Sequence, residues 1–206
     1  MDLFKRVCDY PEIVGISIGT RPDCLSDEMI KFLGELNNEK EVWVELGLQT
    51  IHESTADFIN RGYRLPVFED AYEKLTDAGI KVVVHVILGL PNETVNDMLE
   101  TVDYLAKLSP TLFGIKLQLL HVLRDTDLAK EYETGEYIPL EFDEYIDLLI
   151  TCIENISPNI IIHRVTGDGP GKLMLAPMWS TKKRTVLNTL HSELKKRSSY
   201  QGRLII

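Results

Sequence analysis

Two polar segments of the sequence combine residue types that can hold a charged ligand. GTRPDCL (19–25) carries Arg21 between glycine and proline, and an arginine at the end of a strand can pair with a carboxylate. LGLQTIHESTADFINRG (46–62) carries Gln49 where a strand is predicted to end and Arg61 where the following helix is predicted to end. Both segments could instead be structural, with Gln49 a buried amide that bonds loop backbone and Arg61 a cation at a helix carboxyl end.

A third segment, LGLPNET (88–94), follows another run of β-forming residues. Its Gly89 would let a ligand approach the backbone closely, and Pro91 would stiffen the turn. Asn92 is the predicted N-cap of the next helix. An ordinary strand-to-helix turn accounts for this pattern equally well.

Further candidate residues follow the last two predicted strands. HRVTGDGP (163–170) places His163, Arg164 and Asp168 among glycines, and these side chains could position a substrate near the carboxyl ends of the strands. The alternative is a glycine turn that ties the tail to the body. His121 is a second candidate, although a lone histidine at a strand end is more often structural.

Strands and helices alternate along the chain. The β-rich runs are 13–20, 42–49, 81–88, 114–121 and 159–165. Their starts lie 29 to 45 residues apart, which is about the length of one βα unit. Helices are predicted between them, with Ser26 as one N-cap and Gly79 at one carboxyl end. This alternation without hairpin signals predicts a parallel sheet with right-handed crossovers.

One face of the predicted strands is apolar and the other is small or polar. The residues of the second face are Ser17, Glu45, Gln49, His85, Lys116 and Gln118. A doubly wound sheet buries both faces of its strands in apolar residues, which this pattern does not support. The sequence therefore predicts an α/β fold that is a partial (β/α) barrel, with binding chemistry at the carboxyl ends of its strands.

Composition excludes several classes of protein. The chain has 206 residues, of which 44% are hydrophobic and 26% are charged, as in a folded globular domain. It contains no apolar run long enough to cross a bilayer and no signal-peptide pattern, so we expect a cytoplasmic protein without a membrane partner. Cys8, Cys24 and Cys152 do not have metal-ligand spacing, and no metal-binding residue is predicted in this chain.

Charge is distributed unevenly. Residues 163–206 hold nine Lys and Arg against Asp168 and Glu193, whereas the whole chain has a net charge of −10. Such a tail either binds an anionic partner such as RNA or packs on an acidic body. The tail lacks interleaved aromatic residues, so tRNA is the weaker alternative partner. We predict a barrel over residues 1–165 and a helical basic extension over 166–206 that packs on it.

These segments together resemble the radical S-adenosylmethionine (SAM) superfamily. The resemblance is closest to radical SAM proteins of unassigned function that carry GxSIGTRPDCL, WVELGLQTxHExT, HxILGLP and HRxTGDGP, and it covers nearly the whole chain. Oxygen-independent coproporphyrinogen oxidases and elongator-type tRNA-modifying enzymes are more distantly similar. The resemblance implies an iron–sulfur oxidoreductase that uses a [4Fe-4S] cluster to cleave SAM reductively to a 5′-deoxyadenosyl radical, which acts on an unknown substrate.

The resemblance also implies roles for individual residues. Gln49 matches a glutamine that contacts the SAM ribose, and Arg61 matches an arginine that pairs with the methionyl carboxylate. His85 stands where a relative has an aspartate on the ribose hydroxyls. Ile87 and Gly89 match the strand segment that packs on the adenine.

The cluster cysteines that the resemblance requires are missing from this chain. Cys8, Cys24 and Cys152 cannot form a closely spaced trio. We therefore expect the chain to be the C-terminal two-thirds of such an enzyme, without its first βα units, inactive alone and unable to bind the cluster. An exposed first strand or an open barrel mouth would favour a homo-oligomer. The alternatives are a non-catalytic module that binds a small ligand or RNA, and a coproporphyrinogen-oxidase-like oxidoreductase.

Overall fold

The computed structural model describes residues 2–205 and consists of strands flanked by helices. The strands are Gly15–Thr20 (β1), Glu41–Gln49 (β2), Lys81–Leu88 (β3), Gly114–Leu119 (β4), Val122–Leu123 (β5), Ile161–Arg164 (β6) and Met174–Ala176 (β7). The α-helices are Asp2–Cys8 (α1), Asp27–Asn37 (α2), Glu53–Phe58 (α3), Leu65–Asp77 (α4), Val95–Ala106 (α5), Asp127–Thr134 (α6), Phe142–Glu154 (α7) and Lys183–Lys196 (α8).

The main sheet has five strands in the order β1-β2-β3-β4-β6, and every neighbouring pair is parallel. This confirms the predicted parallel α/β fold. The fourth predicted strand is shorter than expected, because β4 ends at Leu119 and the chain then forms β5, which pairs with β7 in a small antiparallel sheet.

The apolar face of the strands forms the core, as the alternation predicts. Leu46, Val84 and Leu117 have no more than 1% of their surface exposed, and they belong to one cluster with apolar residues of the surrounding helices. Burial of these aliphatic side chains is the main driving force for folding. The opposite face of the same strands is lined by polar side chains.

Local signals account for most helix ends. Ser26 caps α2, since its side chain accepts a hydrogen bond from the Met29 amide at 3.2 Å. The prediction that Asn92 caps the helix after β3 is wrong. That helix begins at Val95, and Thr94 forms its capping box with Asp97, while Asn92 occupies a turn with φ of 66°.

The basic C-terminal part packs on the body of the protein. Val186 and Leu190 of α8 are buried in the main core. Arg197 pairs with Asp147 of α7 at 2.7 Å, and Arg203 pairs with Glu154 at 2.7 Å. The contact thus has an apolar centre with ion pairs beside it. The boundary after residue 165 stays a prediction. Among the helices that the structure describes, none has the length and apolar character needed to cross a membrane.

Candidate functional site

A cleft lies at the carboxyl ends of β2, β3 and β4, where the sequence predicts binding. Its volume is about 650 Å³, within the usual range for small-molecule sites. We call it the mouth cleft. Arg21 and Arg61 form its cationic wall, and Asp127 and Glu131 form its acidic wall. Its apolar floor consists of Ile87, Leu90 and Leu120. The cleft therefore suits a ligand that carries both charges and a flat apolar part.

Arg61 is the most deeply buried charged side chain of the mouth cleft, with 2% of its surface exposed. Its Nη1 donates to the carbonyls of Leu48 at 3.2 Å and Thr50 at 2.7 Å, and its Nε donates to the Tyr63 carbonyl at 3.0 Å. Nη2 is buried without a hydrogen-bond partner among the described residues, although Glu53 Oε2 lies 3.6 Å away. The side chain thus donates to backbone carbonyls at the end of β2 and does not cap the carboxyl end of α3. Its Nη2 makes no hydrogen bond within the described residues.

Backbone conformation places Gln49 beside Arg61. Gln49 has φ of 67°, and the pairing of β2 with β3 is irregular between Gly47 and Gln49. The Tyr63 hydroxyl lies within hydrogen-bond distance of the Gly47 carbonyl and 3.2 Å from Gln49 Oε1. A Cβ atom at Gly47 would lie 2.6 Å from Gln49 Nε2, so the glycine allows the amide to fold over the strand.

Tyr63 and Arg21 form the outer part of the cationic wall. Burial raises the pKa of Tyr63 to about 12, so its hydroxyl stays protonated and can donate. Arg21 is half exposed and forms two bonds to Asp23, at 2.9 and 2.8 Å. Its guanidinium carbon lies 5.5 Å from the Tyr63 ring, in the range of a cation–π contact. Arg21 reaches the cleft but already has a carboxylate partner.

The acidic wall of the mouth cleft was not predicted from the sequence. Asp127 and Glu131 stand four residues apart on α6, which places both on one helix face beside the cleft. Asp127 bonds Lys130 at 2.7 Å, whereas the half-buried Glu131 carboxylate makes no ion pair within residues 2–205. The i, i+4 spacing of two carboxylates after a strand was the available signal.

The structure separates His85 and Gly89 from the mouth cleft. Gly89 is buried, with φ of 84°, and its carbonyl accepts a hydrogen bond from the Tyr137 hydroxyl at 2.7 Å. His85 lies deeper, on the polar inner face of the sheet. Four of the six predicted cofactor-binding residues therefore line one cleft, namely Arg21, Gln49, Arg61 and Ile87.

His85 belongs to a cross-strand group that we call the inner network, which comprises Ser17, Glu45, His85, Lys116 and Gln118. The Glu45 carboxylate accepts hydrogen bonds from Ser17 at 2.9 Å and from Lys116, and it lies 2.8 Å from His85 Nε2. Gln118 Nε2 lies 3.2 Å from the other ring nitrogen of His85. Burial alone would raise the pKa of Glu45, but the bonds from Lys116, Ser17 and His85 together lower it to about 2.

The four predicted substrate residues are not all together. His121 and Asp168 line a second, smaller cavity beside the mouth cleft, and Arg164 lies 3.3 Å from Asp168. The prediction that His163 lies near the barrel mouth is wrong. Its ring packs against Gly114 and 5.5 Å from the Trp43 ring, at the amino ends of the strands. The pairing of β4 with β6 is irregular just there, and this register decides where the side chain lies.

The sequence matches known families along most of its length. Residues 1–105 match the Radical SAM superfamily, and residues 113–196 match the Radical_SAM C-terminal domain. The chain belongs to the radical SAM superfamily. The predicted membership is thereby confirmed, and it supports a radical SAM-type enzyme.

Two curated relatives are similar over most of this chain. It is 46% identical to uncharacterized protein YtqA of Bacillus subtilis over 200 residues. The aligned region covers 97% of this chain and 62% of YtqA. It is 33% identical over 178 residues to protein YhcC of Escherichia coli, which covers 86% of this chain and 57% of YhcC. The chain therefore spans about three fifths of the length of these relatives.

A solved structure supports the barrel. The archaeal Methanocaldococcus infernus Elp3 with an N-terminal deletion superimposes with a TM-score of 0.78 at 20% identity, over 91% of this chain and 43% of Elp3. At that identity the likeness concerns the fold alone. It confirms the predicted partial barrel of radical SAM type.

The family implies SAM and a [4Fe-4S] cluster, and the residues of this chain fit the two differently. The mouth cleft suits SAM, because it offers a buried guanidinium nitrogen without a hydrogen bond among the described residues, beside apolar and acidic side chains. The two cysteines whose side chains the structure describes do not fit a cluster, and the side chain of Cys8 lies outside the described part. Cys24 is exposed, whereas Cys152 is buried in α7, where burial raises its pKa to about 12. A cluster needs several thiolates close together.

One further group has metal-ligand chemistry. Ligand atoms of His52, Asp97 and Glu100 lie within 4.8 Å of one another. His52 Nε2 already lies 2.9 Å from the Asp97 carbonyl oxygen, and the Asp97 carboxylate belongs to the capping box of α5. These contacts give His52 and Asp97 a structural role, because they hold α5 against the loop after β2.

Proposed function

We propose that this chain provides the SAM-binding wall of a radical SAM enzyme and that SAM binds in the mouth cleft. The observation that carries the proposal is the buried Nη2 of Arg61 at the edge of this cleft, which makes no hydrogen bond among the described residues and has only a long contact of 3.6 Å with Glu53 Oε2. A buried donor without a partner costs free energy, and the carboxylate of a bound ligand would satisfy it.

Each wall of the cleft suits one part of SAM. Arg61 and the more exposed Arg21 suit the methionyl carboxylate. Gln49, held by Tyr63, suits a ribose hydroxyl. Ile87 and Leu90 offer an apolar surface for the adenine ring. These assignments follow the roles that the family resemblance implies for Gln49, Arg61 and Ile87.

The residues of this chain bind and orient the ligand rather than transfer electrons. SAM and the cluster together supply one-electron chemistry, the reductive cleavage of SAM, when both are bound. Arg61 and Gln49 would hold the ends of SAM, and Leu90 and Leu120 would exclude water from its centre. We propose that the cluster ligands lie outside this chain, since its cysteines do not fit them.

SAM binding to the 206-residue chain tests the proposal directly. We expect calorimetry to detect binding of SAM and of S-adenosylhomocysteine, both of which have the carboxylate. Arg61→Gln should weaken both by about tenfold to a hundredfold, the usual effect of losing a hydrogen bond between charged groups. Binding of 5′-methylthioadenosine, which has no carboxylate, should change by less than about threefold.

Arg197→Gln is the matched control. Arg197 is exposed, does not line the cleft and pairs with Asp147 and Glu193, so its loss should leave SAM binding within about twofold. If wild-type protein does not bind SAM, the proposal fails. If Arg61→Gln weakens all three ligands equally, Arg61 supports the fold of the site and does not bind the carboxylate.

The catalytic part of the proposal needs a longer chain. YtqA, of which this chain spans 62%, is the test protein. Anaerobic YtqA with SAM and a reductant should form 5′-deoxyadenosine. The YtqA variant that corresponds to Arg61→Gln should form less of this product. Bound SAM without this product would contradict an enzymatic function. The homo-oligomer and the tRNA partner stay predictions.

A further inference from the structure

The smaller cavity that His121 and Asp168 line, which we call the hollow, lies beside the mouth cleft. It lies between the end of β4 and the turn 167–170, and it has a volume of about 230 Å³. At about 30 Å³ per water molecule, this volume corresponds to about eight waters or a ligand of similar size. Ile87 and Leu120 line both the hollow and the mouth cleft, so the two spaces adjoin.

The interior of the hollow is largely apolar, and His121 is its one imidazole. Neither ring nitrogen of His121 has a hydrogen-bond partner in the described part of the chain, and Nε2 is buried. Gly167 and Gly169 pack on the ring, since a Cβ at either would lie within 2.7 Å of it. Burial and the nearby Lys183 lower the pKa of His121, which favours the neutral imidazole.

Two cations contact the one carboxylate that lines the hollow, although neither cation is itself a lining residue. This carboxylate belongs to Asp168, which is shared by Arg164, at 3.3 Å, and Lys183. Lys172, in the same loop, is exposed and makes no ion pair among residues 2–205. One carboxylate thus faces two cations in a protein whose net charge is −10. Such a local excess attracts anions.

We infer that the hollow binds the substrate of the proposed reaction, and that this substrate is a small molecule with an apolar body and an anionic group held by Lys183 and Arg164. The inference rests on the proposed function, because only SAM in the mouth cleft makes the adjoining hollow a substrate site. The apolar body would lie beside Ile87, facing SAM, and the anionic group would lie at the turn.

Asp168 has a defined part in this arrangement. Its carboxylate occupies both cations when no substrate is present, so it competes with an incoming anion. Replacement by asparagine keeps the size of the side chain and releases the cations. Asp168→Asn should therefore bind anions more tightly than the wild type, whereas a purely structural Asp168 would give weaker binding.

Four probes that share a short alkyl chain test the inference on this chain without SAM. They are butanoate, butyl phosphate, butanol and butylammonium, and the readout is the imidazole NMR signal of His121. His121→Gln assigns that signal among the five histidines. We expect saturable shifts with one or both anions and no saturable shift with butanol or butylammonium. The ratio between the two anions tells whether the group is a carboxylate or a phosphate.

Variants then locate the charge. Lys183→Met should weaken anion binding about threefold to fivefold, and Asp168→Asn should strengthen it at least twofold. Lys195→Met is the matched control, because Lys195 lies on the same helix at its far end, and it should leave binding unchanged.

The inference is overturned if butylammonium shifts the His121 signal as strongly as the anions, or if Lys183→Met leaves anion affinity unchanged. It is also overturned if tRNA shifts that signal while no small anion does. Failure of SAM to bind is a separate result, because it would remove the proposed function while the anion titrations would still show whether the hollow selects anions.

Discussion

The inner network and the mouth cleft both contain polar side chains, but they differ in how fully these side chains are hydrogen-bonded. In the inner network, the Glu45 carboxylate has partners from three other strands, Ser17, His85 and Lys116. At the strand ends, Arg61 Nη2 in the mouth cleft and His121 Nε2 in the adjoining hollow are buried and make no hydrogen bond among the residues described. Buried polar groups are nearly always paired, so the exceptions need an explanation.

Position along the strands explains the difference. The inner network lies at the middle of the sheet, where the register brings His85 beside Lys116 and opposite Gly47. Side chains there meet one another. At the strand ends the chain leaves the sheet, so Arg61 and His121 face loops and open space. The fold satisfies the first group by itself, and we infer that ligands complete the second.

The largest test of this contrast is Glu45→Ala. It removes the one acceptor shared by Lys116 and His85 and leaves both partly buried without it. We expect the free energy of unfolding to fall by about 2 to 3 kcal/mol, as for a lost hydrogen bond to a charged group. Urea unfolding measures this.

Glu41→Ala is the control on the same strand. Glu41 pairs with Lys81 at the surface, where ion pairs contribute little, so its loss should hardly change stability. If the free energy of unfolding falls by the same small amount in both variants, the inner network does not stabilise the sheet and the contrast with the mouth cleft disappears.

The pH dependence of stability sharpens the same comparison. The pKa of Glu45 falls from its ordinary value of 4.5 to about 2 in the folded protein. A depressed carboxyl pKa stabilises the fold above the unfolded pKa, and this contribution is lost as pH falls from about 4.5 toward 2. Glu45→Gln lacks this titration. The wild type should be more stable than the variant at pH 6, and the difference should shrink by pH 2.5.

Denaturant unfolding of both proteins between pH 6 and pH 2.5 measures the difference. A gap between wild type and Glu45→Gln that stays constant over this range would show that the charge of Glu45 does not stabilise the sheet.

Much of the fold was predictable because its signals are local. Alternation in the strands correctly assigned both faces of the sheet, including Glu45, His85 and Lys116. The resemblance to a family identified Arg61 and Gln49, which line one cleft in the structure. Ser26 was predictable as a cap because capping depends on the residue itself and its next three neighbours.

The errors have a different origin. The position of His163 depends on an irregularity in the pairing of β4 with β6, which no local pattern encodes. Thr94 replaces Asn92 as the cap because Asp97 completes a capping box with it. Glu131 reaches the cleft only through the packing of α6 after β5. Tertiary register and helix placement decided these three cases.

The last test uses three glycines to compare the sheet with the turn beside the hollow. A Cβ at Gly114 would lie 2.5 Å from the His163 ring and 3.1 Å from the Ile161 carbonyl of the next strand. The Ile161 carbonyl cannot move without disturbing the sheet, so Gly114→Ala should cost about 2 kcal/mol of unfolding free energy. A Cβ at Gly169 meets side chains alone, those of Met174 at 2.6 Å and His121 at 2.7 Å.

These side chains and the turn that carries Gly169 have room to shift, because the neighbouring hollow is open. Gly169→Ala should therefore cost about 1 kcal/mol, the low end of the range for overpacking. A Cβ at Gly171 has no atom within 4 Å, so Gly171→Ala should stay within about 0.5 kcal/mol of the wild type. Equal losses for Gly114→Ala and Gly169→Ala would mean that the turn beside the hollow is packed as rigidly as the sheet. The unpaired nitrogen of His121 would then belong to a fixed structural contact, and there would be no reason for a ligand to complete it.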